Sequence, residues 1–308
     1  MKNAICLFSI FSAILLFGCS ADKSTENEPV SQEIDALEGS WQLISRIDQA
    51  NGDTTWSQLP DNMIYQKHIT PTHFTWFGYN KEEERTTGTG GGSYTFNGES
   101  YVEDIVFFYP PGSSILGQTI PFTVEMKDGQ WYHTGYAKNL EFDAETGEMI
   151  VVDSTKIEEI WERVETHGFQ ANTDLSLAGT WELVSYMDAS LEAWTEYPDF
   201  VGYMKHITPT HFVVFKYNKE GDEVMFELSG TYTLDGNTYI ENIITGYPPA
   251  PRRVGASHTF TKEMKDGKWH LSGYIYTMET DADSGKTVVR DSTLIQEIWQ
   301  PYGGSPAL

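Results

Sequence analysis

Eight consecutive residues, Lys67-His68-Ile69-Thr70-Pro71-Thr72-His73-Phe74, return unchanged as Lys205 to Phe212, 138 positions further on. The same offset carries Gly92-Ser93-Tyr94-Thr95 onto Gly230-Thr231-Tyr232-Thr233, Tyr109-Pro110-Pro111 onto Tyr247-Pro248-Pro249, and Glu159-Ile160-Trp161 onto Glu297-Ile298-Trp299. It also carries Glu125 to Gly129 onto Glu263 to Gly267. Leu37-Glu38-Gly39-Ser40-Trp41 matches Leu177-Ala178-Gly179-Thr180-Trp181 at an offset of 140, so the copies differ by two residues after the first strand. A unit this long is a domain repeated once, because solenoid repeats run to about 20–50 residues. Copy one spans 37–164 and copy two 177–300, with a linker at 165–176 and a tail at 301–308.

Each copy is patterned as strands. Trp41, Leu43, Ser45 and Ile47 alternate with polar positions, as do Trp181, Leu183, Ser185 and Met187, which gives one inner face. Asn97-Gly98, Asp128-Gly129, Asp235-Gly236 and Asp266-Gly267 separate alternating runs and predict two-residue hairpin turns. No helical period interrupts them. Some eight antiparallel strands per copy, each beside the next in sequence, predict an all-β protein of two tandem small up-and-down β-barrels, since closure removes the sheet edges.

These motifs resemble a known family. Gly39-Ser40-Trp41 and Gly179-Thr180-Trp181 look like the Gly-x-Trp of lipocalins. The fuller series, through Ile69-Thr70-Pro71-Thr72-His73-Phe74, Tyr101-Val102-Glu103 and Glu159-Ile160-Trp161, is similar to the lipocalin-like domains of bacterial lipoproteins, especially those of Bacteroidetes. The resemblance implies a barrel of about eight strands around a cavity. It also implies an arginine after the last strand stacked on the first tryptophan, a part for Arg163 that Pro301 cannot take in copy two.

The N-terminus carries Lys2 and an apolar run from Ala4 to Phe17, the pattern of a signal segment over 1–18. Leu16-Phe17-Gly18-Cys19 resembles a lipobox, which makes Cys19 the expected lipid-bearing residue and 19–36 a polar tether. Ser20 after the cysteine fits outer-membrane sorting, so the expected place is the cell envelope, lipid-anchored to the outer membrane. With Cys6 removed and Cys19 lipidated, no thiol is left for disulfides, thiol chemistry or metal binding. A net charge of −25, from 45 acidic and 20 basic residues, excludes nucleic acid as a partner. It equally excludes electrostatic docking on anionic lipid, so contact with a membrane falls to the acyl chains.

No catalytic motif, metal motif or cofactor signature stands out. Proline conflicts with the positive φ of a two-residue hairpin loop, so a longer connection is favoured at Pro71. A four-residue loop from Ile69 to Thr72 would set His68 opposite His73, and a three-residue loop would not. Lys216 marks the outer face of its strand, which points His211 and Tyr217 inward, together with His73 and Tyr79 in copy one. Tyr101 and Glu103 share a face, as do Tyr239 and Glu241, and a carboxylate placed inside needs a cation. Lys67 and Lys205, on one face with Tyr65 and Tyr203, supply it. These twelve residues are the candidate lining of two small-molecule sites, and the expected ligand is small and apolar or amphipathic. Two other functions remain open: a non-catalytic adhesion or scaffold module binding another protein through its loops, and an isomerase-like enzyme using Glu103 with His73 or Tyr101.

Overall fold

The computed structural model describes residues 36–48, 52, 54–164, 171–220, 223–249, 253–281 and 285–302. The signal segment, Cys19, the tether up to residue 35, linker residues 165–170 and tail residues 303–308 lie outside them. The first copy forms β1 (Gly39–Ile47), β2 (Ser57–Gln58), β3 (Met63–Ile69), β4 (His73–Asn80), β5 (Arg85–Phe96), β6 (Ser100–Tyr109), β7 (Thr119–Lys127), β8 (Gln130–Asp143) and β9 (Glu148–Arg163). The second forms β10 (Gly179–Asp188), β11 (Ala193–Thr195), β12 (Val201–Ile207), β13 (His211–Asn218), β14 (Val224–Asp235), β15 (Thr238–Tyr247), β16 (Ser257–Lys265), β17 (Lys268–Thr280) and β18 (Thr287–Pro301). Every neighbouring pair is antiparallel, and β1–β9 and β10–β18 pairings close each sheet into an eight-stranded barrel. The short β2 and β11 only fringe β1 and β10.

The Leu-x-Gly-x-Trp motif forms the closed end of each barrel. Leu37 and Leu177 are fully buried plugs, and their carbonyls accept the indole N–H of Trp41 at 2.7 Å and Trp181 at 2.8 Å. The chain enters the strand through Gly39 at φ 124° and Gly179 at φ 135°, a backbone that an L side chain rarely adopts. Trp131 packs edge-on against Trp41 at 5.4 Å, and Trp269 against Trp181 at 5.6 Å. Arg163 lies flat on Trp41 at 3.9 Å and donates to the carbonyls of Ala36 and Glu38, whereas Pro301 sits opposite Trp181. Arg163→Ala is therefore expected to cost about 1–2 kcal/mol in urea unfolding, the sum of a cation–π contact and two partly exposed hydrogen bonds.

The turns differ in detail from the sequence pattern. Asp128-Gly129 and Asp266-Gly267 are two-residue loops with both residues at positive φ, as expected. At Asn97-Gly98 the loop is Gly98-Glu99 instead, because Asn97 pairs with Ser100 and its side chain accepts the N–H groups of Glu99 and Ser100. The Pro71 connection also has only two residues: Ile69 pairs with Phe74, and the Thr70 N–H donates to the His73 carbonyl at 2.9 Å. His68 thus faces Thr75, and neither expected loop length holds. The Thr70 side chain caps the His73 N–H at 3.2 Å, leaving the Thr70 carbonyl to the Tyr94 hydroxyl at 2.9 Å. Thr208, His211 and Tyr232 repeat this arrangement, which accounts for the repeated octapeptide and for the tyrosine of Gly-x-Tyr-Thr. In that motif Gly92 stands at a bulge where a Cβ would meet the Asp104 carbonyl at 1.8 Å, so no side chain fits.

The barrels meet through the outer faces of β3–β6 and β12–β15. Phe77, Tyr79 and Phe107 form one apolar cluster with Met204, Val213, Phe215, Tyr217 and Val224. The contacts are reciprocal. Ser40 Oγ lies 2.8 Å from Thr208 Oγ1, and Thr180, its counterpart, lies 2.7 Å from Thr70. His68 sits 5.3 Å from His211, and His206 sits 5.9 Å from His73. Tyr109 meets its own counterpart Tyr247 at 4.4 Å, which marks a pseudo-two-fold axis.

Candidate ligand site in the first barrel

Alternation on β3 and β6 brings Tyr65, Lys67, Tyr101 and Glu103 to the inside of the first barrel, as the sequence pattern requires. Lys67 Nζ lies 2.7 Å from Glu103 Oε1, with both side chains buried. The ammonium is ringed by Trp161 at 5.0 Å, Trp131 at 5.3 Å, and Phe74 and Tyr101 at 5.7 Å, so the rings' electron-rich faces replace part of its lost hydration. In the second barrel Tyr203, Lys205, Tyr239 and Glu241 take the same places, with Lys205 Nζ 2.8 Å from Glu241 Oε1.

His73, Tyr79, His211 and Tyr217 do not line either interior. They point away from the barrel centres into the layer between the barrels, where His73 packs on His206 and Tyr302 and the two tyrosines join the shared apolar cluster. Lys216 is the residue that points inward, over the rings of Tyr197 at 5.4 Å and Tyr203 at 5.8 Å. Its charge gave the wrong face because this strand is buried on both sides, outward by the other barrel. The acid–base pair of Glu103 with His73 is accordingly not assembled.

Two residues that the sequence reading left out of the site complete it. Glu159 on β9 and His133 on β8 are cross-strand partners, with His133 Nδ1 3.2 Å from Glu159 Oε2. The same oxygen accepts the Trp161 indole N–H at 3.1 Å. Burial raises the Glu159 carboxyl, but the His133 bond, Lys67 and Trp161 outweigh it, and the net direction is downward. Burial and Lys67 push His133 below its ordinary value in spite of Glu159, so the imidazole is neutral at neutral pH. Glu297, the counterpart of Glu159, has Leu271 where His133 stands, and burial moves its carboxyl upward.

Above these groups the first barrel is hollow. A cavity of about 180 Å3 is bounded by Lys67, Glu103, His133 and Glu159 below and by Tyr65, Trp76, Phe108 and Trp161 around its wall. It shares Tyr65, Trp76 and Phe108 with an outer vestibule of about 590 Å3 that reaches Arg46, Leu59, Met63 and Pro110. The hollow depends on glycines. Trp76 lies flat on Gly88 and Gly90 and stacks on Tyr65 at 5.1 Å, so a large ring is drawn against the wall of the barrel. In the second barrel Val214, Phe226 and Leu228 replace Trp76, Gly88 and Gly90, and Lys216 replaces Gly78. Leu228 and Phe226 pack into that interior, and Arg253 lies over Phe226 at 5.8 Å. The glycine run from Gly88 to Gly92 therefore sits within β5 and is no loop.

No family model matches the chain, and no curated protein is significantly similar to it. Among solved structures, a protein of unknown function from the DUF3598 family of Nostoc punctiforme is similar over 85% of this chain and 96% of its own, at 10% identity and a TM-score of 0.20. A similarity at that score bears on neither mechanism nor ligand. The chain stands as a tandem of two closed eight-stranded antiparallel barrels, hollow in the first copy.

Proposed function

We propose that this protein is a lipocalin-like receptor of the cell envelope, tethered through Cys19, whose first barrel holds one small amphipathic molecule. The observation that carries the reading is the cup of the first barrel and the adjoining vestibule, which share Tyr65, Trp76 and Phe108, with polar groups and aromatic rings lining the cup. A cavity of about 180 Å3 compares with the roughly 150 Å3 hollow that takes a benzene ring. The ligand's head is accordingly ring-sized, with any longer portion in the vestibule. The second barrel, with its mouth occupied by Phe226, Leu228 and Lys216, serves as the structural partner.

N-phenyl-1-naphthylamine is expected to bind the purified chain saturably, at one molecule per chain, with a rise in probe fluorescence. Combining Trp76→Val, Gly88→Phe and Gly90→Leu gives the first barrel the mouth of the second and should abolish that binding. Two sites per chain, or binding that survives the triple replacement, would remove this assignment. Radiolabelled palmitate incorporation that is lost in Cys19→Ser tests the anchor.

One observation favours a second reading, in which a protein partner docks on the loops. Beyond the barrel wall the β8–β9 ribbon exposes Phe142, Met149 and Val151, at 65%, 56% and 57% of their surfaces. A stoichiometric protein that co-purifies with the intact chain, and is lost when these three become serine, would support it.

A further inference from the structure

We propose, building on the ligand reading above, that the cup of the first barrel selects a small ammonium compound: a ring-sized apolar body carrying a protonated primary or secondary amine. Lys67 and Glu103 neutralise each other across 2.7 Å. Glu159 is a second carboxylate: its hydrogen-bonded partner His133 is a neutral imidazole, and the cation opposite it in register, Arg46, is paired with Asp48. The floor of the cup thus carries one uncompensated negative charge. At the mouth Arg46 and Asp48 pair at 2.9 Å.

The hydrogen-bonding atoms point the same way. Both donors to Glu159, the Trp161 indole and the His133 Nδ1–H, land on Oε2. Lys67 uses only Oε1 of Glu103. Both carboxylates line the cavity. His133 donates from Nδ1, and its Nε2, buried with the ring packed against Phe122 and Trp131, has no partner among the described residues. Two carboxylates therefore line one small space, and an ammonium group has three N–H donors to share between them. The faces of Tyr65, Trp76 and Trp161 are negative and attract a cation at close range. An acidic ligand would meet two carboxylates and these same faces, and a neutral alcohol could satisfy only one acceptor.

The second barrel is built to the opposite sign. His258 and Arg253 stand where the first has Ile120 and Ile115, Lys216 replaces Gly78, and Leu271 removes the His133 acceptor. Cation selection belongs to the first copy alone.

The test uses the intact chain at neutral pH with three probes of one size: benzylamine, benzyl alcohol and benzoate. Binding is read by calorimetry and by the emission of Trp76 and Trp161. Benzylamine should bind at least tenfold more tightly than benzyl alcohol, with benzoate undetectable. Glu159→Gln keeps the shape and the bonds to Trp161 and His133, and should cost benzylamine about tenfold while changing benzyl alcohol less than twofold. If that variant does not fold, the three-probe comparison on the unaltered chain decides alone. Equal binding of benzylamine and benzyl alcohol, or preference for benzoate, would overturn the charge selection and leave the ligand reading standing. If none of the three binds and N-phenyl-1-naphthylamine does not either, the cup itself is no receptor and both readings fall together.

Discussion

Replacing Lys67 with Met in the intact chain is expected to lower the unfolding free energy by about 3–5 kcal/mol, the range found when one partner of a buried ion pair is removed. The lysine lies 2.7 Å from Glu103 with 4% of its side chain exposed. Without it the carboxylate is left among Tyr101, Phe122 and Trp161 with no cation, and it must either remain charged at great cost or take up a proton. Urea unfolding at neutral pH should show a lower midpoint with an unchanged slope. Pairing Lys67→Met with Glu103→Leu should recover most of the loss, since an apolar pair of similar volume needs no compensation. Lys205→Met should be the more damaging of the two lysine changes, because Phe226 and Leu228 pack into the second interior where the first has Gly88 and Gly90. A single-variant cost below about 1 kcal/mol would show that the pair is solvated and that the cup is wetter than its lining suggests.

Acid is the second large lever, and it acts between the barrels. Burial pushes His73 and His211 down to about 4, and His68 and His206 well below their ordinary value, His68 also through His211 and His206. Above pH ~6.5 these imidazoles are neutral whether the chain is folded or not, so their contribution is fully present. As the pH falls from ~6.5 towards 4 the unfolded chain takes up protons that the folded chain refuses, and stability drops by up to about 1.4 kcal/mol per pH unit for each histidine. Glu227, buried beside Thr86 and Thr245, opposes this: its carboxyl is raised to about 7, so its protonation favours the folded state over much of the same range. His133 and His258 are lowered as well, and Glu297 is raised like Glu227, so six imidazoles against two carboxyls predict a net loss of several kcal/mol between pH ~6.5 and 4.5. Thermal melts across that window should fall steeply, and His68→Gln with His206→Gln should flatten the slope. A flat profile in the unaltered chain would show that the histidines have access to solvent.

Legibility in the sequence followed the number of buried faces. On β6 the residues between Tyr101, Glu103 and Ile105 are only partly buried, so Tyr101 with Glu103 could be placed inside, and the demand of a buried carboxylate for a cation then placed Tyr65 with Lys67 on β3 and found both Lys–Glu pairs. On β13 every residue from His211 to Phe215 is buried, and a single charge, Lys216, decided the face wrongly. Alternation identifies an inner face only when the other is wet. The Glu159–His133 pair did leave a signal: each lies two residues from a tryptophan of the barrel core, hence on the same face. The hollow left one as well, in the exchange of Trp76, Gly88 and Gly90 for Val214, Phe226 and Leu228, which adds bulk and moves it from the wall to the centre. The turn at Pro71 was beyond reach, because the Thr70 side chain replaces a backbone hydrogen bond on which the loop-length rule depends.

The reciprocal contacts across the pseudo-two-fold axis have a kinetic and evolutionary meaning as well as a structural one. Two separate barrels joined through this surface would form a homodimer, which dissociates on dilution and loses translational and rotational freedom on assembly. Fusion in one chain replaces that bimolecular step with an intramolecular one at an effective concentration on the order of millimolar, so the pairing survives at any protein level. It also releases the halves from identity. A homodimer must accept every substitution twice, and a carboxylate such as Glu227 would then enter the buried layer from both sides. In the fused chain Thr89 holds the matching position, and one half can remain a solid support while the other is hollowed.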